Sequence, residues 1–148
     1  MGSSNSEVRL IVPSRIESLA LINAVAEEVA DQMEFDEEDR NAITISVVEA
    51  GTNAIQHGNA GDSSKPTEVV FRQESGALVI LVRDRGKGFD PERLRDPLST
   101  ENMFAESGRG VYILRSFMDE VEFRFGADGG TECRLVKYHP RHASRSPS

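Results

Sequence analysis

Apolar positions along the chain follow two rhythms. Val8 to Val12 (VRLIV) is a short, mostly apolar stretch closed by Pro13, which predicts a strand over 8–12. From Ile16 the spacing becomes helical: Ile16, Leu19, Ala20, Ile22, Ala26, Val29 and Met33, with Leu21 and Val25 widening the stripe. Ser14 followed by Glu17 has the form of a capping box, so a helix is predicted over 15–33. A second helix is predicted from Asp36, with Asp39 three residues on, to Gly58, a residue suited to a helix C-terminus. TEVVFRQ (67–73) and ALVILVR (77–83) read as strands joined by a tight turn at Glu74-Ser75-Gly76. VYILRSFM (111–118) predicts a third helix, ended by Asp119-Glu120. VEFRFG (121–126) and TECRLVKY (131–138) form a second hairpin across ADGG. Residues 59–66 and 91–107 lack periodicity and read as loops, the second long enough to suggest a functional role.

Helices and strands come in separate blocks, which predicts an α+β two-layer sandwich with helices on one face of a mostly antiparallel mixed sheet. A chain of 148 residues suits one such domain, placed here at 8–138, with a flexible N-terminus at 1–7 and a disordered polar tail at 139–148. An apolar fraction of 38% is enough for a globular core. No apolar run approaches the ~20 residues of a membrane helix, and the opening MGSSNSEVR has no signal-segment pattern, so a cytoplasmic protein is expected. The formal charge of −8 argues against direct nucleic-acid binding, which needs clustered Lys and Arg, and is compatible with a basic protein partner. Cys133 is the one cysteine, so no intrachain disulfide or cysteine metal cluster forms; its alternating surroundings read as strand.

Four polar features interrupt this frame. Glu49, Asn53 and His57 stand four residues apart on the second helix, a spacing that drifts only about 40° per step and keeps them on one stripe. An Asn oxygen suits Mg²⁺ and a Glu one turn away suits a general base, though a solvated helix face shows the same row. Asp84-Arg85-Gly86-Lys87-Gly88 directly follows an apolar strand: a carboxylate at a strand end accepts from an exocyclic amine, and the glycines admit a flat ligand, or else this is a surface turn. Gly108-Arg109-Gly110 opens a helix, whose end amides attract anions, or is a linker. Gly130-Thr131 heads the last strand, where a hydroxyl can meet a base edge or simply belong to the strand.

In this order the features resemble the ATP-binding domain of the GHKL superfamily, which includes histidine kinases, type II topoisomerases, mismatch-repair ATPases and heat-shock chaperones. The resemblance spans roughly residues 8–138, and the segment GRGVYILRSFMDEVEF (108–123) is closest to the small anti-sigma factor serine kinases of the RsbW and SpoIIAB type. It implies that Asn53 holds Mg²⁺, that Glu49 is the base toward a serine hydroxyl, and that Asp84 recognises adenine with Gly86 and Gly88 shaping the pocket. It further implies that Gly108, Arg109 and Gly110 wrap the triphosphate, that Thr131 assists adenine binding, and that about 90–107 forms the ATP lid. His57 matches a frequent family residue without an assigned role. Arg109 and Gly51 depart from the plainer family pattern; an interior helical Gly costs about 1 kcal/mol relative to Ala unless it makes room for a close contact. The implied activity is phosphorylation of an anti-anti-sigma, STAS-type protein by ATP with Mg²⁺, coupled to binding of a sigma factor, in a homodimer. The alternative is a nucleotide-responsive module that sequesters a partner without transferring phosphate.

Overall fold

The structure, a computed structural model, describes residues 6–86, 110–127 and 129–140. Its elements are β1 (Ser6–Pro13), α1 (Ser18–Gln32), α2 (Glu37–Asn53), a π-helical turn (Ala54–Gly58), β2 (Pro66–Glu74), β3 (Ala77–Arg83), α3 (Gly110–Phe117), β4 (Glu120–Phe125) and β5 (Thr131–Tyr138). The five strands form one sheet in the order β1-β2-β3-β5-β4. Every pairing among the described residues is antiparallel, so the parallel pair that a mixed sheet contains is not among them. The reason lies in the connections: β1 to β2 spans both helices yet returns antiparallel, and β5 folds back from β4 to insert beside β3. The predicted loop at 91–107 lies outside the described residues.

Both faces of the central strand are dry. Leu78, Ile80 and Val82 of β3 join Val69, Phe71 and Leu135 against Ile22, Ala26 and Val29 of α1, Ile43, Val47 and Ala50 of α2, and Leu114 of α3. Ala77, Val79 and Leu81 point the other way and meet Val70 and Val136 in a smaller apolar cluster. Ion pairs flank that second cluster: Arg83 bridges Glu132 (2.7 Å) and Glu68 (3.3 Å), and Arg9 reaches Glu68 at 3.0 Å. This two-sided burial explains why β3 reads as an uninterrupted apolar run rather than an alternating one. Cys133 is a buried strand residue, and burial pushes its thiol pKa up, away from reactivity.

Several boundaries move for identifiable reasons. Asp36 does cap α2, accepting from the Asp39 amide at 2.8 Å, with Glu37, Glu38 and Asp39 in the first turn, where acidic side chains suit the helix dipole. Ser14 does not cap α1. Its hydroxyl is fully buried, donates to Lys65 O at 2.5 Å and shares a hydrogen bond with Thr67 Oγ1 at 2.8 Å, and α1 begins only at Ser18. Ile16 and Leu21 are exposed, so the buried stripe of α1 is narrower than the apolar spacing implies. At the N-terminus Ser6 and Glu7 already pair with Gln73 and Arg72. His139 does not belong to a loose tail: its amide donates to Gly76 O at 2.9 Å, and its ring lies 4.8 Å from that of Phe35.

Gly51 of α2 packs against Leu19 and Ile22 of α1. A Cβ there would lie 3.2 Å from Leu19 Cδ2 and 3.3 Å from Ile22 Cδ1, so the close contact, not helix propensity, accounts for the glycine. We expect Gly51→Leu to lower stability in urea unfolding by about 2 kcal/mol through overpacking. Gly51→Ala should fall within about 1 kcal/mol of wild type, because its propensity gain offsets the crowding.

Candidate nucleotide site

Antiparallel pairing brings the C-terminal end of β3 and the N-terminal end of β5 to one edge of the sheet, where Arg83 faces Glu132. Asp84 and Thr131 therefore become neighbours. The Asp84 amide donates to Thr131 O at 3.0 Å, and the Thr131 amide returns a bond to Asp84 Oδ1 at 3.2 Å. The Gly86 amide donates to the same Oδ1 at 2.9 Å. Both bonds to the carboxylate among the described residues use Oδ1, and Oδ2 keeps its capacity to accept from an outside donor. Asp84 is only 9% exposed. Desolvation by burial raises its pKa above the usual aspartate value, against the lowering effect of the Gly86 and Thr131 amides.

The helix reaches the same place. At the start of α2, Asp39 lies 3.7 Å from Lys137 Nζ, at the far end of β5. Seventeen residues rise about 25 Å, so the C-terminal end of α2 arrives at the Thr131 edge. There the chain widens into the π turn, closed by Asn59 N donating to Ala54 O at 2.8 Å. The uniform α-helix expected through Gly58 thus ends at Asn53. The left-handed residues that finish the turn are Ala60 (φ 53°) and Gly61 (φ 70°), not Gly58. Gly58 is required for a different reason: a Cβ on it would lie 2.0 Å from Asp84 Oδ2. Cβ atoms on Gly86 and Gly130 would lie 2.0 Å from Gly58 O and 2.6 Å from Asp84 O. Three glycines thus form a slot around one carboxylate, and two of them, Gly58 and Gly130, were not read as necessary to it from sequence.

Asn53 is 2% exposed at the last α-helical position before this slot, and Glu49 is half-buried one turn earlier, about 6 Å along the axis. His57 lies within the π turn, its Nε2 buried without a hydrogen-bond partner; Thr131 Oγ1 is likewise buried and unpartnered. An orphaned hydroxyl beside a carboxylate with one oxygen to spare fits a donor–acceptor edge such as adenine's. A buried amide oxygen fits Mg²⁺, which takes one or two protein oxygens and completes its shell with phosphate and water. Among the described residues no cluster of three His, Cys, Asp or Glu side chains offers an all-protein metal site.

α3 brings its amino end toward this edge. Its carboxyl end is tied to the far end of β5, where Lys137 Nζ donates to Phe117 O at 2.8 Å and Asp119 N donates to Val136 O at 2.9 Å. Gly110, its first residue, is buried. Gly88, Gly108, Arg109 and the predicted lid at 90–107 lie outside the described residues. The residue that sequence reading missed altogether is Asn59, read only as loop. It is 1% exposed, and its Oδ1 accepts from the Arg85 amide at 2.9 Å. A Gly-Asn pair just past a helix also suits an ordinary C-terminal turn, so no local signal marks it.

Comparison with known proteins agrees with this architecture. Residues 12–137 match the family model described as the histidine kinase-like ATPase domain. A serine-protein kinase RsbW of Bacillus pumilus (strain SAFR-032) is 30% identical over 146 residues, which cover 93% of this chain and 89% of that protein. The serine-protein kinase RsbW of Bacillus subtilis (strain 168) is 27% identical over 144 residues, with the same coverage. A crystal structure of the RsbU and RsbW domains of Rv1364c from Mycobacterium tuberculosis superposes with a TM-score of 0.65 at 20% identity. That match covers 90% of this chain and 32% of the longer one, and speaks to the fold alone.

Asp84 sets a pH dependence whose sign follows from its raised pKa. An unfolded aspartate ionises near ~3.9, whereas folded Asp84 ionises higher, so stability falls as pH rises from about 4 through the folded value. Asp84→Asn keeps an oxygen for both amide donors and removes the buried charge. We expect it to flatten that slope in denaturant titrations above about pH 4 and to be no less stable than wild type at pH 7. Gly58→Ala should displace the carboxylate and weaken adenine-nucleotide binding at least tenfold in calorimetry while the protein still folds.

Proposed function

The chain belongs to the histidine kinase-like ATPase domain family, alongside the serine-protein kinases named RsbW, and from that premise we propose that it transfers phosphate from ATP to a serine of a protein partner. The observation that carries this is the buried Asp84 carboxylate, whose Oδ1 takes two backbone amides while Oδ2 has no hydrogen-bond donor among the described residues. It is the acceptor an adenine amine needs, and Thr131 Oγ1 supplies the adjoining hydroxyl. Gly86 and Gly88 let the base lie close to the backbone. Asn53 would hold Mg²⁺, which would supply neutralisation of charge on the phosphates. Gly108, Arg109 and Gly110 wrap the triphosphate at the start of α3, where helix-end amides favour anions, and residues about 90–107 close over it as a lid.

Glu49 is the general base. It takes the proton of the serine hydroxyl as the serine oxygen bonds to the γ-phosphorus and the bond from that phosphorus to the β–γ bridging oxygen breaks, leaving ADP. Its position one turn before Asn53 supports this role, since base and metal ligand then share one helix face. The partner supplying the serine is an anti-anti-sigma protein of the STAS type, and the unphosphorylated exchange partner is a sigma factor, held by a cytoplasmic homodimer. The formal charge of −8 suits partners with basic surfaces.

Titration with MgATP tests the root of this proposal: wild type binds, and Asp84→Asn loses about 10- to 100-fold in affinity, the scale of one hydrogen bond to a charged group. Incubation with labelled ATP and a STAS-type protein should place label on serine. Glu49→Gln should cut that rate at least 100-fold with ATP affinity changed less than about threefold. Binding without label, in wild type, would instead indicate a nucleotide-responsive sequestering module.

A further inference from the structure

Behind the Asp84 slot lies a buried polar cluster that the proposed chemistry does not use: Ser14 and Thr67 at 0% exposure and Asn59 at 1%. Asn59 Nδ2 faces four acceptors, Ser14 Oγ at 2.8 Å, Pro66 O at 3.2 Å, Thr67 Oγ1 at 3.3 Å and Lys65 O at 3.4 Å. Its Oδ1 takes the Arg85 amide at 2.9 Å. The surroundings dictate the amide's orientation, because the Lys65 and Pro66 carbonyls can accept from its N–H side but not from its oxygen, and the Arg85 N–H needs an oxygen. A hydroxyl lacks the second donor, and a carboxylate has none; among small side chains Asn alone meets both demands.

The placement matters more than the satisfaction. Residues 58 and 59 stand against residues 84 and 85: Gly58 under the Asp84 carboxylate, Asn59 bonded to the next amide. The other side of Asn59 is anchored to the turn after β1 and to the start of β2. With Asp84 as the adenine acceptor proposed above, which this assignment requires, we infer that Asn59 is a positioning residue for base recognition. It latches the strand-end turn to the helix terminus and so sets where Asp84 Oδ2 meets the base. Without it the Arg85 N–H loses its partner, and among the described residues the turn meets the helix terminus through Gly58.

The readout is selectivity between ATP and ITP, which lacks the exocyclic amine, measured by calorimetry on the full chain. Wild type prefers ATP at least tenfold. Asn59→Ala is expected to lose about tenfold in ATP affinity with ITP affinity changed less than twofold, so that the preference collapses. Ser14→Ala breaks the same buried cluster yet leaves the Asn59–Arg85 bond, and it should lower the melting temperature while keeping the preference. Equal loss of preference in both variants, or retained preference in folded Asn59→Ala, overturns the latch and leaves the adenine assignment standing. A wild type that binds neither nucleotide overturns the adenine assignment and the latch with it. Should Asn59→Ala not fold, amide hydrogen exchange on wild type decides the matter. The Arg85 amide should be protected at least tenfold over its unstructured rate, and exchange at the unstructured rate rules the latch out.

Discussion

The site depends on burying one carboxylate at the junction of three chain segments. Asp84 leaves β3, is clasped by the amides of Gly86 and Thr131, and presses on the Cα of Gly58 where α2 ends. Such burial disfavours the charged form, and the two amide donors only partly offset the cost. The structure keeps a group there that works against its own stability, a pattern that belongs to binding sites rather than to cores. Each glycine around it follows from that geometry, since a methyl would overlap the carboxylate at Gly58, the Gly58 carbonyl at Gly86 and the Asp84 carbonyl at Gly130.

The rest of the fold brings these segments together. An antiparallel sheet puts the exit of β3 beside the entry of β5. α2 crosses the sheet from Lys137 to the slot, and α3, anchored by its carboxyl end near Val136, turns its amino end toward the same edge. Apolar packing of three helices on one face holds these directions. Glu49, Asn53 and the π turn then project from the rigid end of a helix rather than from a loop, which favours a precise site.

Much of this frame is legible in the chain. β3 (77–83) and β5 (131–138) have the predicted bounds, and Asp36 caps α2 as its spacing implies, because apolar periodicity and a helix cap are local properties. The order of polar motifs resembled one superfamily, and the match over residues 12–137 bears that out. Local patterns misled where a side chain answers to distant chain. Ser14-x-x-Glu17 has the letters of a capping box, yet Ser14 bonds to residues about fifty positions away. His139 looked like tail and packs on Phe35.

By itself the sequence determined the strands, the helices and the identity of the chemical groups, since these follow from periodicity, caps and side-chain type within a few residues. Only the tertiary structure decided that Gly58 serves Asp84 rather than a helix terminus, that the helix unwinds to a π turn at Ala54, and that Asn59 joins three segments. These are contacts between residues as much as 45 positions apart. Steric exclusion and hydrogen-bond satisfaction act on neighbours in space, and no spacing along the chain encodes which neighbours those will be.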